Sequence, residues 1–418
     1  MPPPTPTPQF TSLYDASDWL AHNGLVARTP LIRSSDSSLV RNCPFLYYLV
    51  RRLSIVPAIK NSEALSHGSW FHKYMEGWQP NAEPGSPDEL DSPFVKACLD
   101  HRLTELTDYG KLFGQSPGSI QLMLDDEKKR CLEACVWAQC ALDTPISTTG
   151  FSIRRYLTQP GLSVVACEPA ITVKLSGVTT AVRIVPDALL YDSIKKRLFI
   201  IDYKTTTKKP SERAQVCPLE FQTRLYSIAI MEALRTQTLQ EEYGLPSDTT
   251  YGGMTHICVQ KPSIRFSGKD RNTVTIEKTL TRGPDKGVVR LTSKMYGDPV
   301  LGNYLKRVRD WYTAEGEYVT EKLERETCPV VNISYTSASY FEQDHVIAQT
   351  YKSIDQINHY ATMPAEPAFF PQFHDGCWSH QSGLSPYAAF YLSSPIAWPK
   401  VMSDNNLIIS PRDATDEK

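Results

Sequence analysis

Two apolar runs joined by a short polar segment set the strongest constraint on how this chain folds. Ile184 to Tyr191 and Leu198 to Tyr203 are rich in branched and aromatic residues, and Asp192-Ser193-Ile194-Lys195-Lys196 separates them. Such a pattern reads as a β-hairpin. Alternate side chains of a strand share a face, so Asp202 and Lys204 project to one side and Tyr203 to the other. Folding the hairpin back brings Asp187 toward both. Two carboxylates and an ammonium on one face are costly to hold together without a function. A divalent cation held by oxygen ligands supplies one.

Around this hairpin the periodicity changes once, from helical to extended. Ser35 to Leu53, Glu63 to Trp78, Phe94 to Tyr109 and Ile120 to Ala141 carry helical patterns. Leu162 to Leu175, Thr179 to Tyr191 and Leu198 to Lys204 then predict a three-strand meander. A helix over Leu219 to Leu234 and a strand over Tyr251 to Ile264 follow. This order predicts an α/β core, a mixed central β-sheet flanked by helices. Further on, Asn272 to Leu280 suits a strand, and Asn303 to Tyr312 and Ser337 to Tyr360 suit helices. We expect an N-terminal tail over 1–30, a core over 31–265, a helical C-terminal extension packing on it over 266–402, and a polar tail over 403–418.

Charge and composition narrow the partners. A net charge of −2 over 418 residues excludes a globally basic nucleic-acid binder but leaves room for a local basic groove. No apolar run approaches the ~20 residues that span a bilayer, and Met1 to Gln9 lack the blocks of a signal peptide. No membrane association and a cytoplasmic setting are expected. No GxxxxGK[ST] phosphate loop is present, so ATP binding is not supported. The ten cysteines show no secreted framework. Cys131, Cys135 and Cys140 stand among Leu132, Val136 and Trp137 and read as small core hydrophobes.

Several other residues are candidates for the site. His72 and Glu76 are four apart and share a helix face, which suits metal ligation or a plain ion pair. Gln222 and Tyr226 share a face of the helix after the hairpin. Lys195, Lys196, Lys208 and Lys209 suit a nucleic-acid groove or a solvated charge run. Tyr47, Tyr48 and Arg51 suit either core packing or contact with a nucleic-acid strand.

Taken jointly, Val185-Pro186-Asp187, Ile201-Asp202-Tyr203-Lys204 and Gln222-Thr223-Arg224-Leu225-Tyr226 resemble the PD-(D/E)xK nuclease superfamily. The likeness is to its RecB-like exonuclease branch, with the nuclease domains of RecB and AddB, the CRISPR-associated adaptation nucleases and many phage exonucleases. Gly68-Ser69-Trp70-Phe71-His72 resembles that branch's Gly-x-x-x-His element, and Cys43-Pro44-Phe45-Leu46-Tyr47-Tyr48-Leu49 its Cys-Pro-x-x-Tyr-Tyr-Leu segment. The resemblance covers about residues 43 to 265. It implies a restriction-endonuclease-like fold and hydrolysis of DNA phosphodiester bonds with Mg²⁺ or Mn²⁺. It implies Asp187, Asp202, His72 and the backbone carbonyl of Tyr203 as metal ligands, with Lys204 orienting the attacking water. Gln222 and Tyr226 would order the lysine or grip a phosphate, with Glu168 on the strand where many members carry a further acid; Glu76 is a secondary candidate from its spacing to His72.

One departure from that branch is visible. Many members hold an iron–sulfur cluster through one early and three late cysteines. Cys43 matches the first and Cys377 one of the rest, but the stretch after Cys377 has no further cysteine and Cys328 is isolated. We expect no iron–sulfur cluster, with the N- and C-terminal segments packing through apolar contacts instead. The expected substrate is DNA, single- or double-stranded, with a free end; RNA stays open. A separate helicase, or a single-strand annealing or binding protein, is the expected partner, since no motor is fused. Three readings remain: an exonuclease or end-processing enzyme of recombination, replication or phage DNA metabolism, an inactive nucleic-acid-binding scaffold, and a structure- or sequence-specific endonuclease.

Overall fold

The computed structural model describes residues 30–57, 63–78, 92–112, 114–146, 150–279, 289–315, 318, 321, 329–364 and 370, with short pieces between 378 and 409. The expected N-terminal tail, residues 79–91, Cys328, Cys377 and the end of the polar tail lie outside the described residues.

Five strands form the central sheet in the order β10-β7-β6-β5-β2. They are β2 (Leu162–Cys167), β5 (Ala188–Asp192), β6 (Arg197–Thr206), β7 (Thr250–Gln260) and β10 (Val331–Ser337). All neighbours are antiparallel except β6 and β7, which are parallel. That pairing needs a crossover, and α5 (Pro210–Val216) and α6 (Phe221–Arg235) supply it. β5 and most of β6 are buried on both faces, because helices cover the sheet on each side. On one side lies α6, with α8 (Asp344–Thr362) beyond it; on the other, α2 (Glu63–Gly77) packs with α3 (Pro93–Leu112) and α4 (Pro117–Asp143). The predicted mixed sheet flanked by helices is therefore observed. Among the described residues no helix is long and apolar enough to cross a membrane.

The predicted elements differ from the structure in three places. The run Ile184 to Tyr191 is not one strand. β4 (Val182–Ile184) pairs with β3 (Ile171–Val173) in a small sheet of its own, and β5 begins only at Ala188. Pro186 lies at the break: it has no N–H to give a ladder. The helix expected over Ser35 to Leu53 also breaks. α1 (Asp36–Asn42) stops at Cys43, whose backbone is extended (φ −165°, ψ 108°), since the residue before a proline is driven out of the helical region. The chain resumes as Pro44–Tyr47 and a wider turn at Tyr48–Arg52. Third, residues beyond 265 contribute more strand than expected: the strand read over Asn272 to Leu280 is present as β8 (Arg271–Thr279), but β9 (Val289–Pro299), which pairs with it in a separate two-stranded ribbon, and β10, which completes the central sheet, were not expected.

The N- and C-terminal segments pack together through aromatic contacts. Tyr48 meets Phe370 with ring centres 4.7 Å apart, and Phe45 meets Trp398 at 6.0 Å. β1 (Ile55–Pro57) pairs with Leu407–Ile409. Arg52 adds polar contacts, donating to the carbonyls of Tyr360 and Met363 at the end of α8.

Candidate active site

The hairpin of β5 and β6 turns where Asp192 Oδ1 accepts the N–H groups of Ile194 and Lys195, at 3.0 and 2.9 Å. An aspartate held this way closes a turn by itself. The resulting register ends at Ala188 opposite Ile201. The next positions outward are Asp187 and Asp202, so the end of the ladder sets the two acids side by side. Asp187 Oδ2 accepts the N–H of Tyr203 at 2.6 Å. In a strand the N–H and C=O of one residue point the same way, so the Tyr203 carbonyl also faces the Asp187 side.

Asp202 is buried and Lys204 nearly so. The Lys204 ammonium lies 3.0 Å from Asp202 Oδ1 and 2.9 Å from Oδ2. Its hydrogen bond is directed at Oδ1, which leaves Oδ2 enclosed without an aligned donor. Lys204 also donates to Gln222 Oε1 at 3.0 Å, and Gln222 Nε2 reaches back to Asp202 Oδ1 at 3.4 Å. Gln222 thus stands in the first turn of α6 as a clamp on both groups. Arg213 braces that turn from α5 by pairing with both carboxylate oxygens of Glu220.

His72 comes from α2. Its Nδ1 is 3.0 Å from Asp187 Oδ1, and its ring and that of Phe71 stand edge-on to Tyr203. Gly68, one turn earlier on the helix, lies against the end of β6, where a Cβ would make an ordinary contact 3.4 Å from Thr205 Oγ1. Burial works against a charge on His72, yet Asp187 and then Asp202 outweigh it and raise its pKa. Burial pushes the Asp202 carboxyl up to about 6, with Lys204 opposing the rise and Asp187 adding to it. For Asp187 burial is overcome by His72, Lys204 and the Tyr203 N–H, and its pKa falls. Lys204 is held above the usual lysine range because Asp202 and Asp187 outweigh its burial.

The remaining candidates separate into three groups. Tyr226 is buried and donates to the Val185 carbonyl at 2.9 Å. It pins the Val185-Pro186-Asp187 turn from behind, so it acts on the site through the backbone and does not grip a phosphate. Glu168 and Glu76 meet over Lys73, whose ammonium is 2.7 Å from Glu168 Oε2 and also pairs with Glu76. Glu168 holds a positive φ of 44° while its N–H donates to the Asp187 carbonyl. Lys208 and Lys209 are exposed just past the end of β6.

Tyr47 and Arg51 correct an expectation. Tyr47 is fully enclosed in the core, so it offers no face for a base to stack on. Arg51 is engaged by Asp36 and Ser35, where it neutralises a buried carboxylate at the start of α1. The Cys-Pro segment is a structural joint, because the broken helix turns both side chains inward.

Two neighbours were not singled out from the sequence. Lys73 carried a visible signal, since it stands three residues before Glu76 on one helix. His256 carried none. It lies opposite Asp202 in the β6–β7 register, buried, bonded to Thr223 Oγ1 at 3.1 Å and with Nδ1 unpartnered. Burial, with help from Lys204 and Arg213, lowers its pKa to about 3, so the ring is neutral.

The arrangement also bears on metal binding. Among the described residues, no three His, Cys, Asp or Glu side chains already stand at coordinating spacing. Asp187 faces His72 and Asp202 faces Lys204 instead. The donor set nonetheless fits a hard divalent ion: an imidazole and two carboxylates, one of which, Asp202, has an enclosed oxygen without an aligned donor. Asp187 favours a proton on His72, and a cation beside Asp187 would compete with that proton for the same carboxylate.

A family model described as the PD-(D/E)XK nuclease superfamily matches residues 35–359. The chain belongs to this superfamily. Its name spells the pattern seen here, Pro186-Asp187 followed by Asp202-Tyr203-Lys204. The five-strand mixed sheet flanked by helices agrees with the restriction-endonuclease-like fold of PD-(D/E)XK nucleases. No curated protein matches this sequence. Superfamily membership supports a nuclease with a nucleic-acid substrate.

Proposed function

We propose that this PD-(D/E)XK protein is a Mg²⁺- or Mn²⁺-dependent deoxyribonuclease of the RecB-like branch, acting at DNA ends. The observation that carries the reading is the Lys204 ammonium, clamped between Asp202 and Gln222 beside Asp187. Such a clamp sets one cation next to two acids in an enclosed site, where electrostatic effects are strong.

Asp187, Asp202, His72 and the Tyr203 carbonyl would hold the metal. When bound, the metal lowers the pKa of a water and offsets charge on the scissile phosphate. Lys204 orients the attacking water and meets developing negative charge. Gln222 keeps the ammonium directed, and Tyr226 keeps the Asp187 turn in place. Lys208 and Lys209 stand exposed at the end of β6, where they suit contact with the nucleic-acid backbone. Glu168 and Glu76 stay engaged by Lys73 and serve as outlying acids.

The test is cleavage of end-labelled linear and circular DNA, single- and double-stranded, with Mg²⁺, Mn²⁺ or chelator. Shortening of linear substrates only, lost in chelator and in Asp187→Ala, is expected. Cutting of covalently closed circles would make the protein an endonuclease. No cleavage of any substrate would leave a nucleic-acid-binding scaffold.

A further inference from the structure

Among the described residues the β8–β9 ribbon is a sheet of two strands with no neighbouring strand. Its described side chains are almost all exposed, including Val274, Leu291, Met295 and Tyr296. An isolated ribbon of this kind is marginal alone and presents open edges. Its root, by contrast, is firmly built. Asp270 and Ser267 cap each other, and the Asp270 carbonyl accepts from the Val300 N–H and from Asn303 Nδ2, at 2.9 and 3.0 Å. Arg307 pairs with Asp270 at 3.3 Å.

The root is also tied to the candidate active site. Glu133 accepts the Phe266 N–H at 2.8 Å and meets His67 at 2.9 Å. His67 lies on α2, five residues before His72. The Lys261 N–H donates to the Thr206 carbonyl at the end of β6. The ribbon therefore starts from the end of the sheet that carries Asp202 and Lys204.

Charge selects the partner. Residues 271–299 hold six Lys or Arg and three Asp or Glu, a net of +3 (6 − 3), in a chain of net −2. The register sets Asn272 opposite Tyr296, Val274 opposite Lys294 and Lys278 opposite Arg290. Those positions fall on one face of the ribbon, and no acid occurs among them; Glu277 falls on the other. Nine residues of strand reach about 30 Å, and a two-stranded ribbon fits the major groove of duplex DNA.

We propose that the β8–β9 ribbon is a DNA-binding arm that lays this face into a groove of the duplex beside the cleavage site. The proposal rests on the nucleic-acid reading of the site, which it deepens. The basic positions 278, 290 and 294 of this face run along the backbone phosphates, and Tyr296 packs on the sugar-phosphate edge.

The test is fluorescence anisotropy of a labelled 30-bp duplex in chelator across a salt series, so that cleavage plays no part. For the Lys278→Ala/Arg290→Ala/Lys294→Ala variant, loss of three phosphate contacts lowers the slope of log K against log salt by about 2.7 and the affinity by roughly 10²-fold near 0.15 M salt. Tyr296→Ala weakens binding with an unchanged slope. Lys294→Glu alone, at an exposed position, should lower slope and affinity in the same direction, and it serves if the triple variant fails to fold by circular dichroism. Wild-type affinity and slope in a folded triple variant, or in folded Lys294→Glu where the triple variant does not fold, would overturn the arm and leave the nuclease reading standing. Absence of duplex binding by the wild type would also overturn it.

Discussion

Replacing Asp202 with asparagine should make the metal-free protein more stable while abolishing its activity. Asp202 is enclosed, and its carboxyl is pushed from the ordinary 3.8 to about 6. One pKa unit is about 1.36 kcal/mol, so at pH 8 ionised Asp202 costs the folded state about 3 kcal/mol relative to its neutral form. Asparagine carries no charge, and Lys204 keeps Gln222 as an acceptor. Unfolding entropy of about 2.1 cal/mol/K per residue over 418 residues converts this to a rise in Tm of about 3 °C. The sign follows from linkage. A folded-state pKa above the unfolded one means that stability is lost as pH rises from about 4 through about 6. The gain of Asp202→Asn over wild type should therefore vanish near pH 4 and level off above about pH 7. Mg²⁺ or Mn²⁺ near saturation should reverse the order: a ligand at 1,000 times its Kd stabilises by about 4.1 kcal/mol, which exceeds the gain of about 3 kcal/mol, and the variant loses a ligand. The assay is thermal denaturation of both proteins in chelator and in metal, at several pH values. A variant less stable than wild type in chelator at pH 8, or one with an undiminished metal response, would refute the reasoning.

Three further outcomes are expected. Lys204→Met should lower cleavage by 10²–10³-fold or more, the range for removing one stabilising group, while the metal-induced rise in Tm survives; single-turnover kinetics and melting read the two effects. Tyr226→Phe loses one neutral hydrogen bond to the Val185 carbonyl, worth about 1 kcal/mol; if all of it reaches the transition state, kcat falls about fivefold with KM nearly unchanged, and a larger KM effect would place the hydroxyl on the substrate. Arg51→Ala leaves buried Asp36 unpaired, which costs about 3–5 kcal/mol in a denaturant titration, and it should leave the salt slope of DNA binding unchanged.

Much of the candidate site was legible because its geometry is local. A turn closed by Asp192 sets the register, and alternation along β6 then sends Asp202 and Lys204 to one face. Gln222 was legible too, since a helix following the strand brings its first turn back over the strand end. Tyr226 showed where such reading stops. Helical spacing placed it beside Gln222, but only the fold revealed that its hydroxyl holds Val185. For Tyr47 and Arg51 core packing and nucleic-acid contact both stayed open, because a helical pattern does not say which way a broken helix faces. Pro44 breaks it, and both side chains turn to internal partners.

By itself the sequence determined the hairpin turn, the strand that carries Asp202 and Lys204, and the order of the charged residues, because each depends on neighbours along the chain. Tertiary structure alone decided which distant groups meet these residues: His72 and Gly68 from α2, His256 from the parallel strand β7, and β10 on the far edge of the sheet. It also decided that the ribbon is anchored at the active end of the sheet, through Glu133 and the Lys261 N–H. These contacts span from tens of residues to well over a hundred. They arise from burying apolar faces of separate elements against one another, and that packing leaves no periodic trace in the residues it brings together.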